Sequence, residues 1–252
     1  MPLLDSWTRG AHTDLVNGVD VTHPTYRKGT GPGVIVIHEI PGITPAVIEF
    51  AEEVVASGFT VVLPHLFGTP ERKMTPLAVV STMRRVCVSK EFTKLALRQT
   101  SPIAGWLRSL ARDLHGELGG PGVGALGMCF TGGFALAMMV DDSVAAPVLC
   151  QPSVPFVPGR ARSRDLNLSP ADLATVKERA AGGCQVLGLE FTSDPLTGRR
   201  FDTLATEIGD AFIRVELPGK GHSTVTEDRQ QAGVDRVLAF FNEKLHPDQA
   251  AG

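Results

Sequence analysis

The sequence predicts an α/β fold with a mostly parallel, doubly wound sheet flanked by helices, and three observations carry that prediction. Short continuous runs of β-branched and aliphatic residues, such as Val34–Ile37 and Phe59–Leu63, recur along the chain. Segments of helical length separate them, and Gly- or Pro-containing turns mark the boundaries. Strands buried on both faces need such unbroken apolar runs, because no residue of theirs meets water.

In chain order, the first thirty or so residues read as polar and irregular, ending in the turn-like run Lys28–Gly33. Val34–Ile37 is the first clear strand. Residues 45–57 read as a helix, with Pro45 in its first turn and Gly58 beyond its end. Phe59–Leu63 is the next strand, so this stretch is a right-handed βαβ crossover between parallel strands. Residues 66–88 mix Pro70 and Pro76 with apolar and basic residues and give no clear element. From about 90 to 117 the pattern is helical, interrupted at Pro102. Val123–Gly127 is a strand that runs into Cys129 and a helical stretch Gly133–Val140, and Ala145–Leu149 is another strand. A Pro- and Arg-rich excursion follows, holding Pro152, Pro155 and Pro158 with Arg160, Arg162 and Arg164, and its composition suits a surface loop. Residues 170–181 read as a helix, Gln185–Phe191 as a strand, 199–208 as a helix, 211–217 as a strand and 228–245 as a final helix. The whole, 1–252, reads as a single domain, with 66–90 and 152–170 as the candidate lid pieces over the sheet.

Hydrophobic residues at 43% and charged residues at 20% are ordinary globular proportions, enough for a continuous core without a disulfide or metal staple. The net charge of −3 and the lack of any Lys/Arg block give no footprint for nucleic acid. Cys87, Cys129, Cys150 and Cys184 contain no C-x-x-C pair and no zinc-ligand rhythm. The N-terminal residues lack the basic start and apolar run of a signal peptide, and no apolar stretch reaches the length of a membrane span. The expectation is a cytoplasmic protein with reduced thiols, no cofactor, no metal and no membrane or nucleic-acid partner. Nothing in the sequence addresses the oligomeric state.

The chemistry centres on Gly127-Met128-Cys129-Phe130-Thr131-Gly132-Gly133, between a strand and a helix. A nucleophile on such a turn adopts a strained backbone and needs small neighbours. In return it stands at the carboxyl edge of the sheet beside a helix N-terminus, whose positive end favours the thiolate. A free cysteine is by default a buried apolar side chain; what distinguishes Cys129 is the rest of the chain. Asp194 follows the strand at 185–191, and His222 follows the strand at 211–217 through the turn Pro218–Gly221. Nucleophile, acid and histidine in that order, on successive strand ends, are the arrangement that nucleophilic catalysis on this kind of sheet requires.

Upstream, His38-Glu39-Ile40-Pro41-Gly42 ends the first clear strand at the same edge. Together with the Gly127-Met128-Cys129 turn, Ser193-Asp194-Pro195 and Gly221-His222, it resembles the dienelactone hydrolase family of the α/β-hydrolase superfamily, over roughly residues 25–245. The resemblance implies a Cys129–His222–Asp194 triad, a Glu39 carboxylate that partners the resting thiol until substrate displaces it, and an oxyanion hole from the backbone N–H groups of Ile40 and Phe130. Two amides aimed at a developing negative charge are a large catalytic contribution on physical grounds as well. The chain departs from the family pattern at two places. Thr131 stands where the family has glycine two residues after the nucleophile, which predicts a helix packed further from the strand. No arginine follows His222 before Arg229, whereas the best-known members bind a substrate carboxylate with one, and Glu227 and Asp228 would repel an anion there. Arg84, Arg85 and the loop arginines read as solvated surface charge.

The expected function is hydrolysis of a small ester or lactone by Cys-His-Asp acyl transfer. The alternative is a non-catalytic ligand-binding or interaction module on a hydrolase fold. A metallohydrolase built from His38, His65, Asp194 and His222 fails for spacing, since no second histidine follows His38-Glu39 at helical distance. No G-x-S-x-G occurs, which argues against a serine nucleophile.

Overall fold

The computed structural model describes residues 2–92, 97–153 and 160–246, without the side chains of residues 87, 88 and 160. Eight strands form one sheet in the order β1-β2-β4-β3-β5-β6-β7-β8: β1 (Thr8–Val16), β2 (Val19–Lys28), β3 (Gly33–Ile37), β4 (Thr60–Pro64), β5 (Val123–Met128), β6 (Val144–Cys150), β7 (Val186–Phe191) and β8 (Phe212–Leu217). All neighbours from β4 to β8 run parallel, while β1–β2 and β2–β4 are antiparallel. The helices are α1 (Pro45–Ala56), α2 (Pro76–Val88), α3 (Ile103–Leu118), α4 (Gly132–Met138), α5 (Arg160–Arg164), α6 (Pro170–Ala181), α7 (Arg200–Ile208) and α8 (Gln231–Leu245).

The period of two along β3 explains the layering. Val34 and Val36 point into one apolar layer with Phe50 and Val54 of α1 and Phe240 and Phe241 of α8. Ile35 and Ile37 point into the other, with Trp106 and Leu107 of α3, Phe134 of α4 and Phe201 of α7. All four β3 side chains are inaccessible to solvent. Each large aliphatic or aromatic side chain buried this way contributes about 1.5–3 kcal/mol, so the two layers hold the parallel core rigid beneath its loops.

The N-terminal segment is a correction to the sequence reading. Residues 8–28 are not irregular but form a hairpin turned by Asn17 (φ 53°) and Gly18 (φ 77°). Two consecutive positive φ angles define the hairpin turn whose twist matches its strands, and Asn-Gly is its strongest sequence signal. Most of β1 is exposed, so neither continuous burial nor clean alternation marked it. The hairpin docks on α3 through Trp106, whose indole N–H donates to Val21 O at 3.0 Å and whose ring meets His12 and His23 edge-on.

Residues 66–88 also resolve. Thr75 Oγ1 accepts from Ala78 N–H, and Pro76 occupies the first turn of α2. The same hydroxyl-then-proline start opens α1 at Thr44-Pro45 and α6 at Ser169-Pro170. A side-chain oxygen satisfies an orphan N–H there while proline supplies the helical φ. The helix expected from residue 90 begins only at Ile103, and the last helix begins at Gln231. Residues 93–96, and residues 154–159 of the 152–170 segment, lie outside the described residues. Among the described residues no helix is long and apolar enough to cross a membrane.

Candidate active site

The loops after β3, β5, β6, β7 and β8 meet at the carboxyl edge of the sheet. At the end of β5 the chain enters a turn in which Cys129 adopts φ 51°, a left-handed conformation that an L side chain holds only when its surroundings enforce it. The surroundings do. A Cβ on Gly127 would stand 2.2 Å from Thr131 O, so the turn closes only over a glycine.

Thr131 explains itself in the same turn. Its hydroxyl oxygen accepts from Met128 N–H and lies 3.0 Å from both Ile37 O and Met128 O, to one of which it donates. The buried hydroxyl thus ties the turn to the end of β3, and the departure from glycine is a brace. Thr131→Val, which keeps the shape and loses the hydroxyl, is expected to destabilise the fold by about 1–3 kcal/mol through the unpaired Met128 N–H. Denaturant unfolding of the two proteins measures it.

The acid and histidine come from the next strand ends. His222 Nδ1 donates to Asp194 Oδ2 at 2.7 Å. The Asp194 carboxylate also accepts from Leu196 N–H and Thr197 Oγ1, each at 2.8 Å. Burial raises the Asp194 pKa, but these donors and the imidazolium outweigh it and leave the carboxyl below its usual range. For His222, burial disfavours the charge, yet its interactions with Asp194 and with the Cys129 sulfur prevail and lift it to about 10. His222 Nε2 is buried and makes no hydrogen bond of ordinary geometry among the described residues, and the Cys129 sulfur is the neighbour on that side that helps raise its pKa. The Sγ atom itself lies 3.1 Å from Ser153 Oγ, and Ser153 N–H donates to Cys129 O at 2.9 Å.

Glu39 is where the sequence expectation and the geometry part. Its carboxylate does not partner the Cys129 thiol here. Ser223 Oγ donates to Oε2 at 2.9 Å, and Thr226 Oγ1 donates to Oε1. Burial raises the Glu39 pKa, partly offset by the two hydroxyls and His222. The loop carrying His222 is pinned further by Asp228, which accepts from His222 N–H at 2.8 Å, and by Gln151, which accepts from Thr224 Oγ1 at 2.6 Å. Ser153, Gln151, Ser223 and Thr226 were not singled out from sequence; the hydroxyl-rich run 223–226 after the histidine is the feature that could have pointed to two of them.

His38 serves the fold. Nδ1 bonds Glu39 O at 3.0 Å and Nε2 accepts from Leu66 N–H at 3.1 Å. With both ring nitrogens committed and burial pushing its pKa to about 3, it stays neutral. Among the described residues no cluster of His, Cys, Asp or Glu is arranged to hold a metal ion. Ile40 and Phe130 border the same cavity as Cys129 and His222, a space of 660 Å³. The Ile40 N–H has no backbone acceptor among the described residues. Arg84 and Arg85 are exposed and do not line this cavity.

The eight-stranded, mostly parallel sheet with a strained cysteine turn at its carboxyl edge defines an α/β-hydrolase-fold protein. The sequence profile of the dienelactone hydrolase family matches residues 19–171, and the chain belongs to that family. It is accordingly a carboxylic ester hydrolase by family. The match spans Glu39 and the cysteine turn but ends before Asp194 and His222. Among solved structures, a cold-adapted esterase from an Arctic intertidal metagenomic library is similar with TM-score 0.62 and 14% identity, over 96% of this chain and 95% of that one. A dienelactone hydrolase from Anabaena variabilis is similar with TM-score 0.62 and 16% identity, over 95% and 99% of the two chains. A dienelactone hydrolase-like promiscuous phosphotriesterase from metagenomic libraries is similar with TM-score 0.63 and 15% identity, over 95% and 99%. Likeness at these identities shows the fold. No curated protein matches the chain.

Proposed function

We propose that the chain hydrolyses a small ester or lactone by covalent acyl transfer through Cys129, His222 and Asp194. The observation that carries the reading is the 2.7 Å Asp194–His222 hydrogen bond beside a cysteine held at positive φ. The Cys129 thiolate attacks the substrate carbonyl carbon, and the C=O π pair moves to oxygen, which the Ile40 and Phe130 N–H groups receive. The tetrahedral adduct collapses, the C–O bond breaks, and His222 Nε2–H protonates the departing alkoxide. Neutral His222 then takes a proton from water, whose hydroxide attacks the thioester and expels the thiolate. Asp194 fixes the ring orientation and stabilises the imidazolium. Glu39 acts in this reading on the loop that carries His222, through Ser223 and Thr226, and Ser153 holds the resting sulfur. The segment 66–90 acts as a wall of the site, since Met74, Val79 and Met83 border the cavity, and 1–252 works as one unit.

Single-turnover hydrolysis of short p-nitrophenyl esters, followed by intact mass, tests the reading. Rapid nitrophenol release with an acyl adduct on Cys129 supports it. No turnover, with a thiol inert to alkylation, overturns it in favour of a binding module.

The charge state gives a second prediction. A His222 pKa raised above its unfolded 6.5 contributes stability that is fully present below pH 6.5 and is lost as pH rises through about 10. The imidazole is expected to titrate near 10 by NMR, and Cys129→Ala is expected to lower that value by removing the contribution of the sulfur. An unchanged titration in the variant would contradict the coupling of His222 to Cys129.

A further inference from the structure

We infer that the substrate is an uncharged ester with an apolar acyl chain, and that the site selects against esters carrying a carboxylate. The inference deepens the acyl-transfer reading of the same cavity and rests on it for the word ester. The 660 Å³ space is walled by Met74, Val79, Met83, Phe130, Pro195 and Leu196. An apolar wall of this kind gains from burying hydrocarbon and offers a carboxylate no donor to replace its hydration. Met83 of α2 and Met74 just before that helix add adaptable, unbranched contacts that suit a flexible chain.

Charge points the same way. Glu39, Glu227 and Asp228 border the cavity, and among the described residues no lysine or arginine does. The cation that is present, His222, is already matched by Asp194 at 2.7 Å, a pairing that Cys129→Ala leaves in place. Asp228 is engaged with the His222 and Ser223 N–H groups. Glu227 is exposed, and no hydrogen bond or ion pair to its side chain forms among the described residues. The nearest downstream cation, Arg229, pairs with Glu53 at 2.7 Å and is turned to that partner. A substrate anion entering beside Glu227 therefore meets uncompensated negative charge, and like charges several ångströms apart in a partly desolvated cleft weaken binding on the order of tenfold.

The test is calorimetric binding to Cys129→Ala, which leaves the ester whole, with phenyl hexanoate and its carboxylate-terminated isostere, monophenyl adipate. The neutral ester is expected to bind at least about tenfold more tightly at low ionic strength. The gap should narrow with added salt and should narrow by roughly threefold in a Cys129→Ala, Glu227→Gln double variant. Equal or tighter binding of the adipate overturns the inference, as does a gap that neither salt nor Glu227→Gln changes, and so does failure of both ligands to bind. Wild-type turnover of phenyl hexanoate is measured alongside. The expected binding order without turnover supports the charge selection and overturns the acyl-transfer reading alone.

Discussion

Cys129→Ala is expected to lower kcat/KM for p-nitrophenyl esters by at least about a thousandfold, with the fold intact. The size of the effect follows from what remains. Alanine leaves the amides of Ile40 and Phe130 and the apolar cavity in place, so substrate still binds and polarises. The attacking group is gone, and water has no fixed position from which to replace it. Stability should fall only by the share of the raised His222 pKa that the sulfur supplies, because alanine at φ 51° carries the same backbone strain as cysteine. Circular dichroism and thermal unfolding separate the two effects. Near-wild-type hydrolysis by a folded variant would move the nucleophile elsewhere. Cys129→Ser is expected to be poor as well, since the thiolate is the attacking species in this mechanism and an alcohol forms its anion far less readily than a thiol.

Asp194→Asn is expected to reduce kcat by roughly three to four orders of magnitude while moving KM by little. Asp194 accepts from His222 Nδ1–H, Leu196 N–H and Thr197 Oγ1 at once. An amide in its place keeps the shape but can turn its NH₂ toward the ring, which then presents Nδ1 as the acceptor and keeps the proton on Nε2, the nitrogen that must take one from water to release the acyl group. The depressed Asp194 pKa gives an independent measure. Its contribution to stability is present above the unfolded value of 3.8 and is lost as pH falls below it, so the wild type should lose stability in acid more steeply than the variant. Equal acid sensitivity, or a loss of activity expressed only in KM, would assign Asp194 to binding.

The parts of the fold that could be read from sequence are those where one force acts alone. β3 and β5 are buried on both faces, so Val34–Ile37 and Val123–Met128 can be little else than inner strands of a parallel sheet. The hairpin 8–28 was not legible because its residues serve two masters, an exposed face and a contact with Trp106, and only Asn17-Gly18 carried the information. At the site, Cys129, Asp194 and His222 were legible because chain order and strand ends bring them to one edge. The partner of Glu39 was not. Whether that carboxylate reaches the thiol or the 223–226 hydroxyls depends on a side-chain direction that no spacing encodes. Ser153 lies in a proline-rich run whose composition describes a loop and says nothing of which atom the loop delivers to the sulfur.

The positive φ of Cys129 means that the proposed nucleophile is also a residue the fold would gain by replacing. A glycine at that position would relieve on the order of 1–2 kcal/mol of backbone strain, an appreciable share of a marginal stability. A library of random variants sorted for thermal resistance alone should therefore drift toward glycine at 129 and lose activity as it does so. Selection for catalysis and selection for robustness pull this single position in opposite directions.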